Sequence, residues 1–333
     1  MQVNLEQTYH KQLETLLGDS LGRPVEVING GVGGWGTDQE AIFYVAEGFR
    51  YQPDIVLLAF FIRNDTVNNY GPLELASAGG SQQKQFFTLS SSGELIPPPV
   101  QEAQAEAAIG AHSKAQEVVM SGNAPQPSPQ LDHNPLLLPL ADTLWRWSAL
   151  YRLVTPYLRD LPPVVQQVGA SGILGGEGVV RAGHPTIPVH FYTYESPPNK
   201  DFEAAWRVTE AIIKRLRAEV ETRGAKLAVV IIGAPEQVYP EQWQRLLAAN
   251  PALRQVSLDV DAPNRRLNEF LAREHILHLD LLPIFREAAS KAETPPLHFR
   301  HDGHWTVAGH RLAAESIQNF LQSELKSELA PKQ

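Results

Sequence analysis

Two uninterrupted apolar runs, Ile55–Ile62 and Leu227–Ala234, each eight residues long, constrain the fold of this chain more than anything else in it. A run of that length without polar alternation has both faces covered, as an inner strand of a parallel sheet does between two layers of helices. Both are far short of the ~20 residues that cross a bilayer. Helical patterns stand in front of them: Tyr9, Leu13, Leu16 and Leu17, ending at Gly18, precede the first run. Val208, Ile212, Ile213, Leu216 and Val220, closed by Gly224, precede the second. Val25–Asn29 alternates like a short strand, and Thr37-Asp38-Gln39-Glu40 fits a capping box opening a helix to about Phe49. Leu267–Leu271, Ile276–Leu279 and Val307–Leu321 add a helix, a strand and a closing helix. The alternation predicts an α/β fold, a three-layer α/β/α sandwich around a parallel sheet.

Residues 71–200 break the pattern. They hold 16 of the 26 prolines, and Ile96-Pro97-Pro98-Pro99 and Ala124–Gln130 cannot continue a helix or an inner strand. Gln101–Met120 is Ala/Gln/Glu-rich and helix-prone, and Leu136–Leu158 carries Trp145, Trp147, Tyr151 and Tyr157. The division expected is a discontinuous α/β domain, 1–70 with 201–333, interrupted by a Pro-rich insertion over 71–200. Two readings of that insertion stand: an irregular subdomain packed on the sheet, or a cap over a site.

Composition removes whole classes of function. Twenty-eight basic against 37 acidic residues leave a net charge of −9, the wrong sign for a surface that neutralises phosphates, so no nucleic-acid partner is expected. The absence of cysteine excludes disulfides, thiolate metal sites and a cysteine nucleophile. MQVNLEQTYH has neither the basic nor the apolar region of a signal peptide.

Three motifs directly or closely follow predicted strands, which in an open parallel sheet puts them at the carboxyl edge where ligands bind. Asn29-Gly30-Gly31-Val32-Gly33-Gly34-Trp35-Gly36-Thr37 is a glycine loop ending at a helix start, rich in unpaired N–H groups; taken alone, a turn explains it. Arg63-Asn64-Asp65 appears abruptly where the first apolar run stops. It reads either as a strand-ending turn or as a side-chain amide poised to donate to an oxyanion. His301-Asp302-Gly303-His304-Trp305 sets a carboxylate two residues from an imidazole on a tight turn, an arrangement that can fix the tautomer of a general base. Four histidines lie between 298 and 310, but zinc-type HExxH spacing is lacking, so a metal is not expected.

Together these residues resemble the SGNH hydrolases, the GDSL esterases and lipases. The resemblance implies a flavodoxin-like sheet, no cofactor, an oxyanion hole at Gly34 and Asn64, and His304 as general base oriented by Asp302. The Asp302-Gly303-His304-Trp305 form is similar to the Asp-x-His-Trp of alginate acetyltransferase relatives, and Gly309 falls at the family's His-to-Gly spacing. Arg63 departs from the family pattern. The family's nucleophilic serine is the serious gap: Gly18-Asp19-Ser20 has the letters but ends a helix instead of a buried strand, so Ser20 is not expected to act. The chain is therefore expected to begin just downstream of the nucleophile block, with the first strand missing between Val25–Asn29 and the Ile55 run. The resemblance implies a serine-type acyl-ester hydrolase acting on a small-molecule or glycan ester, with no membrane span, and inactive as given. A polysaccharide O-acetyltransferase or acetylesterase, and a non-catalytic binding module, are the alternatives.

Overall fold

The computed structural model describes residues 3–77, 84–98, 188–300 and 303–325; the stretches 101–120 and 136–158, and Asp302, lie outside them. In chain order, helices α1 (Tyr9–Leu21) and α2 (Thr37–Ala46) lead to strand β1 (Ile55–Phe61). The short helices α3 (Asp65–Asn68) and α4 (Gly71–Ala76) follow, then a small antiparallel hairpin of β2 (Thr88–Leu89) and β3 (Leu95–Ile96). After residue 188 come α5 (Lys200–Thr222), β4 (Lys226–Ile232), α6 (Pro235–Val238), α7 (Pro240–Ala249) and α8 (Ala262–Arg273). Strand β5 (Leu277–Asp280), α9 (Leu281–Ser290) and α10 (Val307–Glu324) complete the described chain.

β1, β4 and β5 form a parallel sheet in that order, with Ile55 opposite Lys226, Phe61 opposite Ile232 and Val229 opposite His278. Alternation along the strands divides the core in two. Leu58, Phe60, Leu227, Val229 and Ile231 pack against α2, α5 and α8 on one face. Ile55, Leu57, Val230 and Ile232 pack against α1, α9 and α10 on the other. This is the α/β sandwich with helices around a parallel sheet that the two apolar runs require. Leu73, Phe87, Val189, Phe191, Tyr192 and Tyr194 are buried in the first of these cores, so residues on either side of the undescribed middle share it with β1 and β4.

Local signals explain both ends of α5. Asn199 caps α5 by accepting from the N–H groups of Asp201 and Phe202 at 3.0 and 3.1 Å, and Gly224 closes it at φ +83°. Two expectations are corrected. α1 continues through Gly18-Asp19-Ser20 to Leu21, because the left-handed residue that ends it is Gly22, at φ +63°; the Gly18 contribution of about 1 kcal/mol against helix is outweighed by Leu13 and Leu17, both buried. Val25–Asn29 is not a strand of the sheet: the Val27 N–H donates to the Glu14 carboxylate at 2.8 Å, and among the described residues no strand pairs with the segment. Alternation reports a half-buried extended segment, and a ladder needs a partner that the alternation cannot supply.

Candidate active site

The loop after Val25–Asn29 is closed by short-range hydrogen bonds. Asn29 Oδ1 accepts from the Gly31 N–H at 3.0 Å, and the Trp35 N–H donates to the Val32 carbonyl at 3.1 Å. Between them Gly34 lies at φ +83°, a left-handed conformation that favours glycine. Asn68 Nδ2 donates to the Gly34 carbonyl at 3.2 Å. Gly36 starts α2, and a Cβ there would stand 2.7 Å from Asn68 Cβ and 2.8 Å from Asn69 Oδ1. Asn69 Oδ1 in turn accepts the Asp38 N–H at 3.0 Å. The glycine loop is thus clamped onto α3, the turn that Asn64 caps, and the Asn68 N–H reaches back to the Asn64 carbonyl at 2.8 Å.

Gly34 and Asn64 therefore meet through a single turn of helix. Among the described residues, neither the Gly34 N–H nor the Asn64 side-chain amide is engaged in a hydrogen bond, and Asn64 Oδ1 is buried without a partner. Both residues thus lie near the carboxyl edge of β1, linked through Asn68.

The histidine loop reaches the chain just beyond β4. Ile62 continues β1 by donating to the Ile232 carbonyl at 3.1 Å, and Pro235, three residues further along, is what a Cβ on Gly303 would touch at 3.1 Å. Gly303 turns the chain at φ +74°; the Phe299 N–H donates to the His304 carbonyl at 2.7 Å, and the His304 side chain is exposed. Trp305 anchors the turn, stacked on Phe285 at 5.3 Å and edge-on to Tyr9 and His310. Thr306 caps α10 and accepts from the Gly309 N–H at 3.3 Å, while Gly309 is so close to the Leu297 carbonyl that any Cβ would collide with it. Asp302 lies outside the described residues.

Ser20 is elsewhere. It sits in the last turn of α1, eleven residues and about 16 Å, at ~1.5 Å per residue, from the Tyr9 that packs beside the histidine loop. Its hydroxyl donates to the Leu17 carbonyl at 3.1 Å and accepts from Gln322 at 2.6 Å, as a surface helix residue does.

Behind the site lies a group of buried carboxylates that the sequence reading missed. Asp38, fully buried, is paired with Lys84 at 3.0 Å, and Lys84 also donates to the Asn68 carbonyl at 2.6 Å. Asp65 accepts the Phe61 N–H at 2.9 Å, and burial, then the charge of Glu40, raises its pKa well above the ordinary 3.8. Burial and the nearby Asp38 raise Glu40 to about 7. Nothing in the composition singles out Lys84, but the run Asn64-Asp65-Thr66-Val67-Asn68-Asn69, directly after an apolar strand, signals that polar groups are being gathered there. On the other side of Asn64, Arg63 is held against Glu236 (3.5 Å), His190 (3.4 Å) and the Phe191 ring (5.3 Å to its centre). Burial, with Arg63 adding to it, pushes His190 down to about 3, so it is neutral. Among the described residues no three of His, Asp or Glu are grouped so as to hold a metal ion, and no helix is long and apolar enough to cross a membrane.

Residues 190–333 match the family model of the SGNH hydrolase-like domain, acetyltransferase AlgX. Comparisons with curated proteins and with solved structures give no match. The carboxyl-terminal part of the chain is thus similar to an SGNH hydrolase-like domain, and the α/β fold is in keeping with that.

Proposed function

We propose that Gly34, Asn64 and His304 process an acyl ester by serine-type chemistry. What supports this is the pair of donors unengaged among the described residues, Gly34 N–H and the Asn64 amide, linked through Asn68, together with a histidine turn whose Gly303 packs on Pro235 just beyond β4. Donors already fixed where negative charge develops are the largest single contribution in acyl transfer, about 3–4 kcal/mol for one such donor. In the reaction a serine hydroxyl attacks the ester carbonyl, and His304 takes its proton as the C–O bond forms. Gly34 and Asn64 hold the oxyanion. The tetrahedral centre collapses, the C–O bond to the alcohol breaks, and His304 returns the proton to the departing oxygen. Asp302 orients the imidazole. Water then attacks the acyl-serine in hydrolysis, or a sugar hydroxyl attacks it in transfer, with His304 again taking the proton. The match to an acetyltransferase domain favours an O-acetylated polysaccharide as donor or product and keeps transfer as the second reading.

In this reading Ser20, hydrogen-bonded on α1 to Leu17 and Gln322, is not the nucleophile, and the 333-residue chain alone is expected to turn over p-nitrophenyl acetate no faster than buffer. Loss of a triad serine costs on the order of 10⁶ in turnover. Rapid saturable turnover would refute that assignment. Titration with an O-acetylated oligosaccharide, followed by NMR, tests the site itself. The Gly34 amide, the Asn64 side-chain amide and the His304 ring are expected to shift together, and Asn64→Ala to weaken the titration. Shifts confined to other loops would overturn the reading.

A further inference from the structure

Arg63, the departure from the family pattern, lies at a fork. The Ile62 N–H makes the last ladder bond between β1 and β4, to the Ile232 carbonyl at 3.1 Å, and beyond it the two chains part. One runs through Arg63 and Asn64 into α3, the other through Gly233 and Ala234 into α6. Among the described residues no backbone hydrogen bond joins them past that point. The Arg63 side chain spans the gap, its Nε 3.5 Å from Glu236 Oε1. Glu236 is 5% exposed and follows Pro235, on which Gly303 packs. A continuous path thus leads from Asn64 through Arg63, Glu236, Pro235 and Gly303 to His304. Toward the strand Asn64 has only a long bond of its own, N–H to the Phe61 carbonyl at 3.4 Å; the Asn68 N–H ties its carbonyl to α3.

The pair is held from outside both loops, by the 3₁₀ turn Val189–Tyr194. Phe191 lies beside the guanidinium, its ring centre at 5.3 Å, and His190 Nε2 accepts from Arg63 at 3.4 Å. Arginine cannot accept, so this contact needs a bare Nε2, and burial, with the Arg63 charge adding to it, keeps the ring neutral. Tyr194 OH donates to Glu236 Oε1 at 3.0 Å, and burial, then the Glu236 charge, keeps that hydroxyl protonated. The turn is itself anchored: the Tyr194 carbonyl accepts from the Asp259 N–H at 2.8 Å, and the Ser196 N–H donates to the Ser257 carbonyl at 2.9 Å. An exposed ion pair of this length would fix little. A planar guanidinium laid against a ring and shared between a buried carboxylate and a neutral imidazole is restricted to one orientation.

We propose that Arg63 and Glu236 are positioning residues for the ester chemistry inferred above, on which this assignment rests: their ion pair sets how far the Asn64 amide stands from the His304 turn, and Val189–Tyr194 holds the pair in place. Neither side chain has to touch substrate. A donor serves an oxyanion only within ~2.7–3.1 Å of it, so a link of fixed length between two loops that no ladder joins decides whether amide and imidazole meet one carbonyl.

The test reads each loop from a substitution in the other, by NMR of the 333-residue chain. Glu236→Gln, which keeps shape and loses charge, is expected to shift the Asn64 side-chain amide. Arg63→Gln is expected to shift the Gly303 amide and the His304 ring. The double variant is expected to move both loops no further than either single change, since the same link is broken each time. Glu219→Gln removes an ion pair with Arg223 at the far end of α5 and is expected to move neither loop. Shifts confined to the substituted loop, additive shifts in the double variant, or equal shifts in Glu219→Gln would each overturn the proposal. If Glu236→Gln does not fold, Arg63→Lys, which keeps the charge and loses the planar fork, is expected to give the same cross-loop shifts, and their absence would overturn it. Titration with an O-acetylated oligosaccharide separates this assignment from the reading beneath it. Affinity is expected to fall on the order of tenfold in Glu236→Gln, and an unchanged affinity would refute the positioning role. Cross-loop shifts in a chain whose native form binds no such ester would instead refute the ester reading and leave the link between the loops standing.

Discussion

Glu40 stakes a measurable share of stability on pH. It lines a cavity of about 510 Å³ beside β1, with burial and Asp38 raising it from 4.5 to about 7. An acid with a raised folded-state pKa stabilises the fold below its unfolded pKa, and that stabilisation is lost as pH rises through the folded value. At ~1.4 kcal/mol for each tenfold change in proton affinity, the rise amounts to about 3 kcal/mol, lost between about pH 4.5 and 7. Two histidines act the other way. His190 and His298, pushed down mainly by burial to about 3 and 4, withdraw stability as pH falls below about 6.5. The slope of the native chain alone is therefore not diagnostic; its difference from Glu40→Gln is. Urea unfolding at pH 5 and pH 8 should show the native chain losing about 3 kcal/mol more over that interval than the variant. Superimposable pH profiles would refute the burial argument.

Three other substitutions probe the frame. Lys84→Met strands the Asp38 carboxylate in the core and should cost about 3–5 kcal/mol by urea unfolding at pH 7. Gly309→Ala gains about 1 kcal/mol of helix propensity but drives a methyl into the Leu297 carbonyl, which has no rotamer to retreat into. A net loss of about 2 kcal/mol and a lower thermal midpoint are expected, and a rise in midpoint would show that the α10 start is loosely packed. Ser20→Ala should cost at most about 1 kcal/mol and leave ester turnover at the buffer rate, while a change in turnover would return Ser20 to the site.

The sequence exposed what depends on local pattern. β1 and β4 were legible because a strand covered on both faces has no polar positions to confuse its ends, and Gly224 because a left-handed cap favours glycine. α9 escaped notice: Pro283 sits inside it, tolerated in the first turn, where a helix N–H has no intrahelical acceptor, and the Asp280 cap that starts it closes a strand as well. The glycine and asparagine loops were legible as chemistry, but their lock was not, since Asn68 meets Gly34 across 34 positions and Asp38 meets Lys84 across 46. Alternation in Val25–Asn29 implied a ladder that does not form among the described residues, because pairing is a property of two segments.

The lysine that balances Asp38 has a practical corollary for anyone trimming this protein. By composition the natural cut falls near residue 71, where the prolines begin, and excision from there would take the ammonium at 84 with it. The glycine loop would then rest on an uncompensated anion beneath Gly36, and a shortened chain would lose the shape of that loop although none of the loop's own residues had been removed. A deletion that spares the stretch from 84 to 98 keeps that counterion, and with it the anchor of the glycine turn.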